Sequence, residues 1–217
     1  MGRDQAPDAE TAPADPGSLL RLIQTEQRQA RHRLYVNPLS VHVPWGLAWL
    51  IGYGLIFLRY GPDGRVMLDT PRVLPWLVLI LCCAAALTAT IIGIRRGTRH
   101  ISGQSSHQSM MYGLAWCFGL LSVTAVAARL DEMLDLSHRI LMWSSLTTAV
   151  VGMLYIAGAA IWHSWYLFGC GLWIVVANSA GLVAGPGWHA LVTALAGGGG
   201  LIVFGVLLRL RGGRAGR

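Results

Sequence analysis

The chain has 217 residues, 54% of them hydrophobic and only 12% charged, with a formal net charge of +7. Soluble globular chains carry about twice that share of charge, so composition argues against a compact soluble enzyme, a disordered chain and a nucleic-acid binder. The apolar residues come in blocks of about 20, the length that crosses a bilayer as a helix. The expectation is an all-α, polytopic integral membrane protein with six transmembrane helices.

Residues 1–17 are polar and contain Pro7, Pro13 and Pro16, which predicts a disordered tail. No apolar stretch follows the first residues, so no signal peptide is expected. Residues 18–36 read as an amphipathic helix. Ser18 is its N-cap, Leu19, Ile23, Ala30 and Leu34 share one arc, and Arg21, Arg28 and His32 lie opposite. A span follows directly, so this helix is expected to lie in the membrane interface.

Six spans are then predicted, at about 41–59, 73–94, 110–128, 140–161, 166–184 and 188–208, followed by a basic tail at 209–217. Pro44 falls in the first turn of the first span, where a missing N–H costs little. The fourth and fifth spans are separated only by residues 162–165, a tight helical hairpin. Gly185-Pro186-Gly187 breaks the fifth from the sixth. With the N-terminus inside, the cytoplasmic segments hold twelve Arg and the outer ones five. The positive-inside rule therefore places both termini in the cytoplasm, in a bacterial cytoplasmic membrane. A three-plus-three division at the 129–139 loop would relate the halves by inversion, as in many transporters.

The chemistry is constrained most by what is missing. All seventeen basic residues are Arg, so no lysine is available for a Schiff base or a phosphate-binding loop. Nucleotide hydrolysis, if it drives this protein, belongs to a separate chain. The ten Asp and Glu all fall outside the six predicted spans, whereas proton- and sodium-coupled carriers keep an ionisable group at mid-membrane. The cysteines Cys82, Cys83, Cys117 and Cys170 lie within apolar blocks without metal-ligand spacing and read as packing residues. No cofactor is expected, and the chain is not expected to be an enzyme.

Three groups of residues remain as candidates. In RLDEMLDLSHR, Asp131, Asp135 and His138 follow i, i+4, i+7 and share a helical face. With His189 they would make a partial divalent-metal set, although a surface helix paired to Arg129 and Arg139 explains the same residues. The other histidines, and His189 itself if no metal is held, read as interfacial polar tips at span ends. The uncharged span residues Asn178 and Ser179, with Thr147 and Thr148, are the candidates for lining the bundle. Their simpler role is an interhelical hydrogen bond worth about 0.6–2 kcal/mol. Finally, Gly181–Gly185, Ala194–Gly198 and Ala196–Gly200 have the spacing of close helix contacts, within the chain or in a homo-oligomer. The Gly197–Gly200 run predicts a close backbone approach or a bend, since each Gly weakens a helix by about 1 kcal/mol.

Pro44-Trp45-Gly46, Ala48-Trp49-Leu50 and Gly52, within the six-span plan, resemble a group of small actinobacterial integral membrane proteins loosely described as transporters or permease components. The all-Arg, Ala- and Gly-rich composition is similar to that of high-GC bacteria. A second similarity is to the six-span membrane subunits of ABC exporters, which begin with an interfacial helix and rely on a separate ATPase. The chain departs from them at Gly185–Gly187, too short for their re-entrant helices. These resemblances imply a permease-like or transport-associated subunit. The alternatives are a membrane adaptor or sensor that docks a cytosolic regulator, and an intramembrane enzyme built on the outer Asp/His cluster. The expected surroundings are the lipid bilayer and a partner protein, not nucleic acid.

Overall fold

The computed structural model describes residue 17 and residues 38–62, 65–98 and 104–214. The expected tail and interfacial helix over 1–36, residue 17 apart, lie outside the described residues. Five long helices come first: α1 (Pro38–Arg59), α2 (Leu74–Thr98), α3 (Gln104–Asp131), α4 (Leu136–Trp162) and α5 (Trp165–Ala184). The sixth span is composite. It runs through α6 (Trp188–Val192), a π-helical turn (Thr193–Gly198) and α7 (Gly199–Arg214). Among the described residues there is no strand.

Local chemistry sets the helix ends. Asp135 is extended and caps α4, its carboxylate accepting from the Ser137 and His138 amides. The predicted hairpin at 162–165 forms: His163 ends α4 in the left-handed conformation, and the Ser164 side chain accepts from Leu167 N–H to start α5. Gly185 and Gly187 both have positive φ, which a glycine adopts without strain, so α5 reverses into α6 within three residues. One boundary moves. α1 begins at Pro38, so Pro44 lies inside the helix rather than in its first turn, where it removes one intrahelical bond. α7 carries the helix to Arg214, through most of the predicted basic tail.

Among the described residues six stretches are long and apolar enough to cross a membrane. Their large side chains face outward on every side: Val183 is 90% exposed and Trp165 86%, with Ile80, Phe118 and Leu121 also exposed. In water such continuous apolar surface would drive association, whereas hydrocarbon solvates it. The protein is a multi-pass integral membrane protein.

The core joins α1 to the second half of the chain. Trp49, Tyr53 and Ile56 of α1 pack with Ile140 of α4, Cys170 and Ile174 of α5, Ala190 of α6, Ala194 of the π turn and Leu201 of α7. α2 and α3 are flanks, with only 6% of each span buried against 39% for α1. α2 lies on α1, where the Trp45 indole donates to Thr90 Oγ1 at 3.0 Å. α3 lies on α4, where the Tyr112 hydroxyl donates to the Leu154 carbonyl at 2.8 Å.

The small residues serve these contacts. A Cβ on Gly46 would stand 2.6 Å from the Gly198 carbonyl oxygen, and one on Gly198 would stand 2.7 Å from that of Gly46. The backbones of α1 and the π turn touch there. Gly200 makes room for the Trp173 indole, which donates to the Ala196 carbonyl at 2.8 Å within the widened turn. The Gly197–Gly200 run thus provides both a close approach and a departure from α-helical geometry.

Candidate functional site

The deepest polar group lies where α4, α5 and α6 meet. Asn178 is buried on α5, and its Nδ2 donates to the Ser145 carbonyl of α4 at 3.2 Å. Its Oδ1 therefore faces His189, whose Nε2 lies 2.9 Å away and must carry the proton. In the neutral ring Nδ1 is then the acceptor. The Ser144 proton goes to the Ile140 carbonyl, so the Thr193 hydroxyl at 3.4 Å is the donor to Nδ1, with the Ser144 oxygen 3.1 Å away. His189 is 1% exposed and Asn178 5%. Every ring nitrogen and amide atom has a partner, as a polar group away from water requires.

This placement corrects the reading of His189 as an interfacial tip. The three-residue Gly185–Gly187 turn brings the first turn of α6 directly against the end of α5. Gly181, one turn beyond Asn178, supplies the clearance: a Cβ there would stand 2.9 Å from the His189 ring. The Gly181–Gly185 spacing is thus used inside the chain, to seat an imidazole.

Ser144, His189 and Asn178 stand in the order of a nucleophile, a base and its orienting partner. Two features argue against that chemistry. Ser144 sits in the interior of α4, with its hydroxyl proton donated to the Ile140 carbonyl at 2.8 Å rather than to His189. Its backbone amide lies within the helical ladder, so it offers no oxyanion donor of the kind acyl transfer needs. The cluster is a neutral polar lock between three helices.

Asp131, Asp135, His138 and His189, the alternative partial metal set, are each engaged elsewhere. The Asp131 carboxylate accepts from the Trp143 indole at 2.7 Å and pairs with Arg139 at 3.4 Å. Asp135 is occupied as the α4 cap and pairs with His138 at 2.5 Å on the surface. That hydrogen bond, followed by the backbone donors, holds the Asp135 carboxyl below its ordinary value. His189 points away from them, into the bundle. Among the described residues no three His, Cys, Asp or Glu side chains converge on a metal position. The reason is that α3 ends at Asp131, so residues 131–138 do not form the continuous helix on which the i, i+4, i+7 face depends.

The bundle-lining candidates divide. Asn178 faces inward, but Ser179 is exposed and its hydroxyl bonds back to the Val175 carbonyl at 2.9 Å. Thr147 bonds back to the Trp143 carbonyl at 2.8 Å. Thr148 is buried beside Tyr53 of α1. His42, also expected at an interface, is buried in α1, with Tyr155 and Tyr166 rings 6.1 and 6.0 Å away. Among the described residues the buried polar side chains are Ser144, Ser145, Thr148, Asn178, Thr193 and the two histidines, with no carboxylate.

One turn of α4 from Ser144, a pocket of about 440 Å³ opens at the end of the bundle. Arg59 and Tyr60 of α1 and its following turn, Arg72 before α2, and Ser137 and Ile140 of α4 line it, with Gly187 at its edge. Composition alone did not single out this pocket, because its walls come from three separate connections. Compared with known protein families, curated proteins and solved structures, the chain matches none.

Proposed function

We propose that this membrane protein is a permease-like subunit that works with a separate energy-supplying partner. The observation that carries the reading is the interrupted sixth span. Its π turn and the neutral His189–Asn178 cluster lie inside the bundle, one turn from an open pocket. Interrupted helices at polar positions are where membrane carriers place their binding sites, and π turns recur at functional sites. The absence of a buried carboxylate among the described residues favours an external energy source over ion coupling. The Arg distribution orients the pocket outward, with both termini in the cytoplasm of a bacterial cell.

The test is affinity purification of the full chain from its native membrane in mild detergent, with mass spectrometry of co-purifying proteins. A stoichiometric ATPase is the expected result. Recovery of the chain alone, with full occupancy of the membrane, would overturn the reading.

A further inference from the structure

The pocket at the Arg59 end has a charge arrangement that the bundle does not require. Two arginines, Arg59 and Arg72, line it, and among the described residues no carboxylate does. The ion pairs among the described residues use Arg139 and His138, not these two arginines. Arg59 spends one N–H, its Nε donating to the Thr70 carbonyl at 2.8 Å, and its guanidinium sits 5.4 Å from the Tyr60 ring centroid. Arg72 contributes its carbonyl to the Tyr60 hydroxyl at 3.0 Å, and its guanidinium has no protein partner among the described residues.

Backbone contacts hold the described part of one wall. The Met67 and Leu68 amides both donate to the Leu58 carbonyl, at 3.0 and 2.9 Å, clamping the strap between α1 and α2 onto the end of α1. Gly187 rests on the same connection, since a Cβ there would stand 2.7 Å from the Pro62 nitrogen. The lining also holds the apolar side chains of Ile140, Leu136 and Val66, and the Ser137 hydroxyl. A wall held in this way lowers the ordering cost of binding, and the volume lies within the range of small-molecule sites.

We infer that this pocket binds a phosphate-type oxyanion carrying an apolar group. The Arg59 and Arg72 guanidiniums would hold the oxyanion, and the Ile140, Leu136 and Val66 side chains would take the apolar part. Guanidinium is the side chain best matched to such an oxyanion, through paired N–H donors. The same chemistry is offered by a phospholipid headgroup entering from the bilayer and by a soluble organic phosphate entering from water. The inference stands apart from transport, because a binding site can exist in a carrier, a sensor or an adaptor alike.

The experiment uses the full chain in nanodiscs made only of phosphatidylcholine, titrated calorimetrically with phenyl phosphate and, separately, with dihexanoyl phosphatidic acid. Saturable binding of at least one probe at one site per chain is expected. Losing a charge-assisted bond should weaken it about tenfold or more in Arg72→Gln, with a further loss in Arg59→Gln/Arg72→Gln. Arg65→Gln, outside the lining, should bind as the parent does. Binding of phenyl phosphate identifies a soluble ligand, and binding of the lipid probe alone identifies a headgroup. Arg72 makes its one described protein contact through its backbone, so Arg72→Gln is expected to keep the parent melting temperature. Failure of both probes to saturate, or equal affinity of the parent and a folded Arg72→Gln, would overturn the assignment.

Discussion

Replacing Gly198 by Ala tests the contact that ties α1 to the sixth span. The new Cβ would stand 2.7 Å from both the Gly46 carbonyl oxygen and the Leu50 nitrogen, where ordinary van der Waals contact begins at 3.4 Å. Both obstacles are backbone atoms, so no side-chain rotation relieves them and the helices must part. Overpacking of this kind costs about 1–3 kcal/mol. Gly→Ala also gains about 1 kcal/mol in helix propensity, which masks part of the loss. Gly199→Ala is the matched control, with the same propensity gain one residue on and no heavy atom within 4 Å of the added Cβ. The difference between the two variants isolates the clash, and Gly199→Ala should be the more stable by about 1–3 kcal/mol. Gly46→Ala should resemble Gly198→Ala. The double variant should lose less than the sum, because helices already parted by one methyl accommodate the other. Reversible unfolding in mixed micelles reads all four proteins. Equal stabilities for Gly198→Ala and Gly199→Ala, within about 0.5 kcal/mol, would refute the close backbone contact.

Asn178→Leu strips His189 Nε2–H and the Ser145 carbonyl of their partners and should destabilise by about 1–2 kcal/mol. Ser179→Ala, which touches only its own helix, should stay within about 0.5 kcal/mol of the parent; similar losses at both positions would remove the inward assignment of Asn178. Asp135, held below its ordinary carboxyl value by its bond to His138, stabilises the fold fully above the unfolded value near 3.8 and loses that contribution as pH falls through the lower folded value. Asp135→Asn keeps a capping oxygen and should abolish that acid-side loss, and parallel melting-against-pH curves for the two proteins would contradict it. Chelation with EDTA should leave the melting temperature unchanged, since Asp131 and Asp135 are already engaged by Trp143, Arg139 and His138; a clear drop would revive the metal set.

The spans were legible because lipid makes a one-dimensional demand. Each helix must satisfy its own backbone and present apolar side chains over a fixed length, and both requirements are written in runs of consecutive residues. The hairpin at 162–165 and the break at 185–187 were legible for a related reason. Ser164 capping and the positive φ of Gly185 and Gly187 depend on neighbours in sequence. The Gly197–Gly200 run announced a close approach or a bend, since four glycines inside a span have no other cause than packing or distortion.

Partners across the bundle were a different matter. Asn178 and Ser179 are adjacent and equally polar in sequence, yet one is buried and the other exposed, because helix rotation is set by what α5 packs against. His189 sits near a span end in the linear order and at the centre of a hydrogen-bond network in space, owing to a three-residue turn and the bare backbone at Gly181. A faint signal did exist: Asn178 and Gly181 share a face of α5, and a turn too short to leave that face follows them. The shared face of Asp131, Asp135 and His138 required one helix across residues 131–138, where the chain ends one helix and caps the next. Sequence by itself therefore determined the six membrane-length apolar helices among the described residues and where the chain turns between them, since hydropathy and turn chemistry are local. Only the tertiary structure decided which polar residues meet, and that Arg59 and Arg72 share a pocket, since contacts between distant segments depend on how the helices rotate and cross.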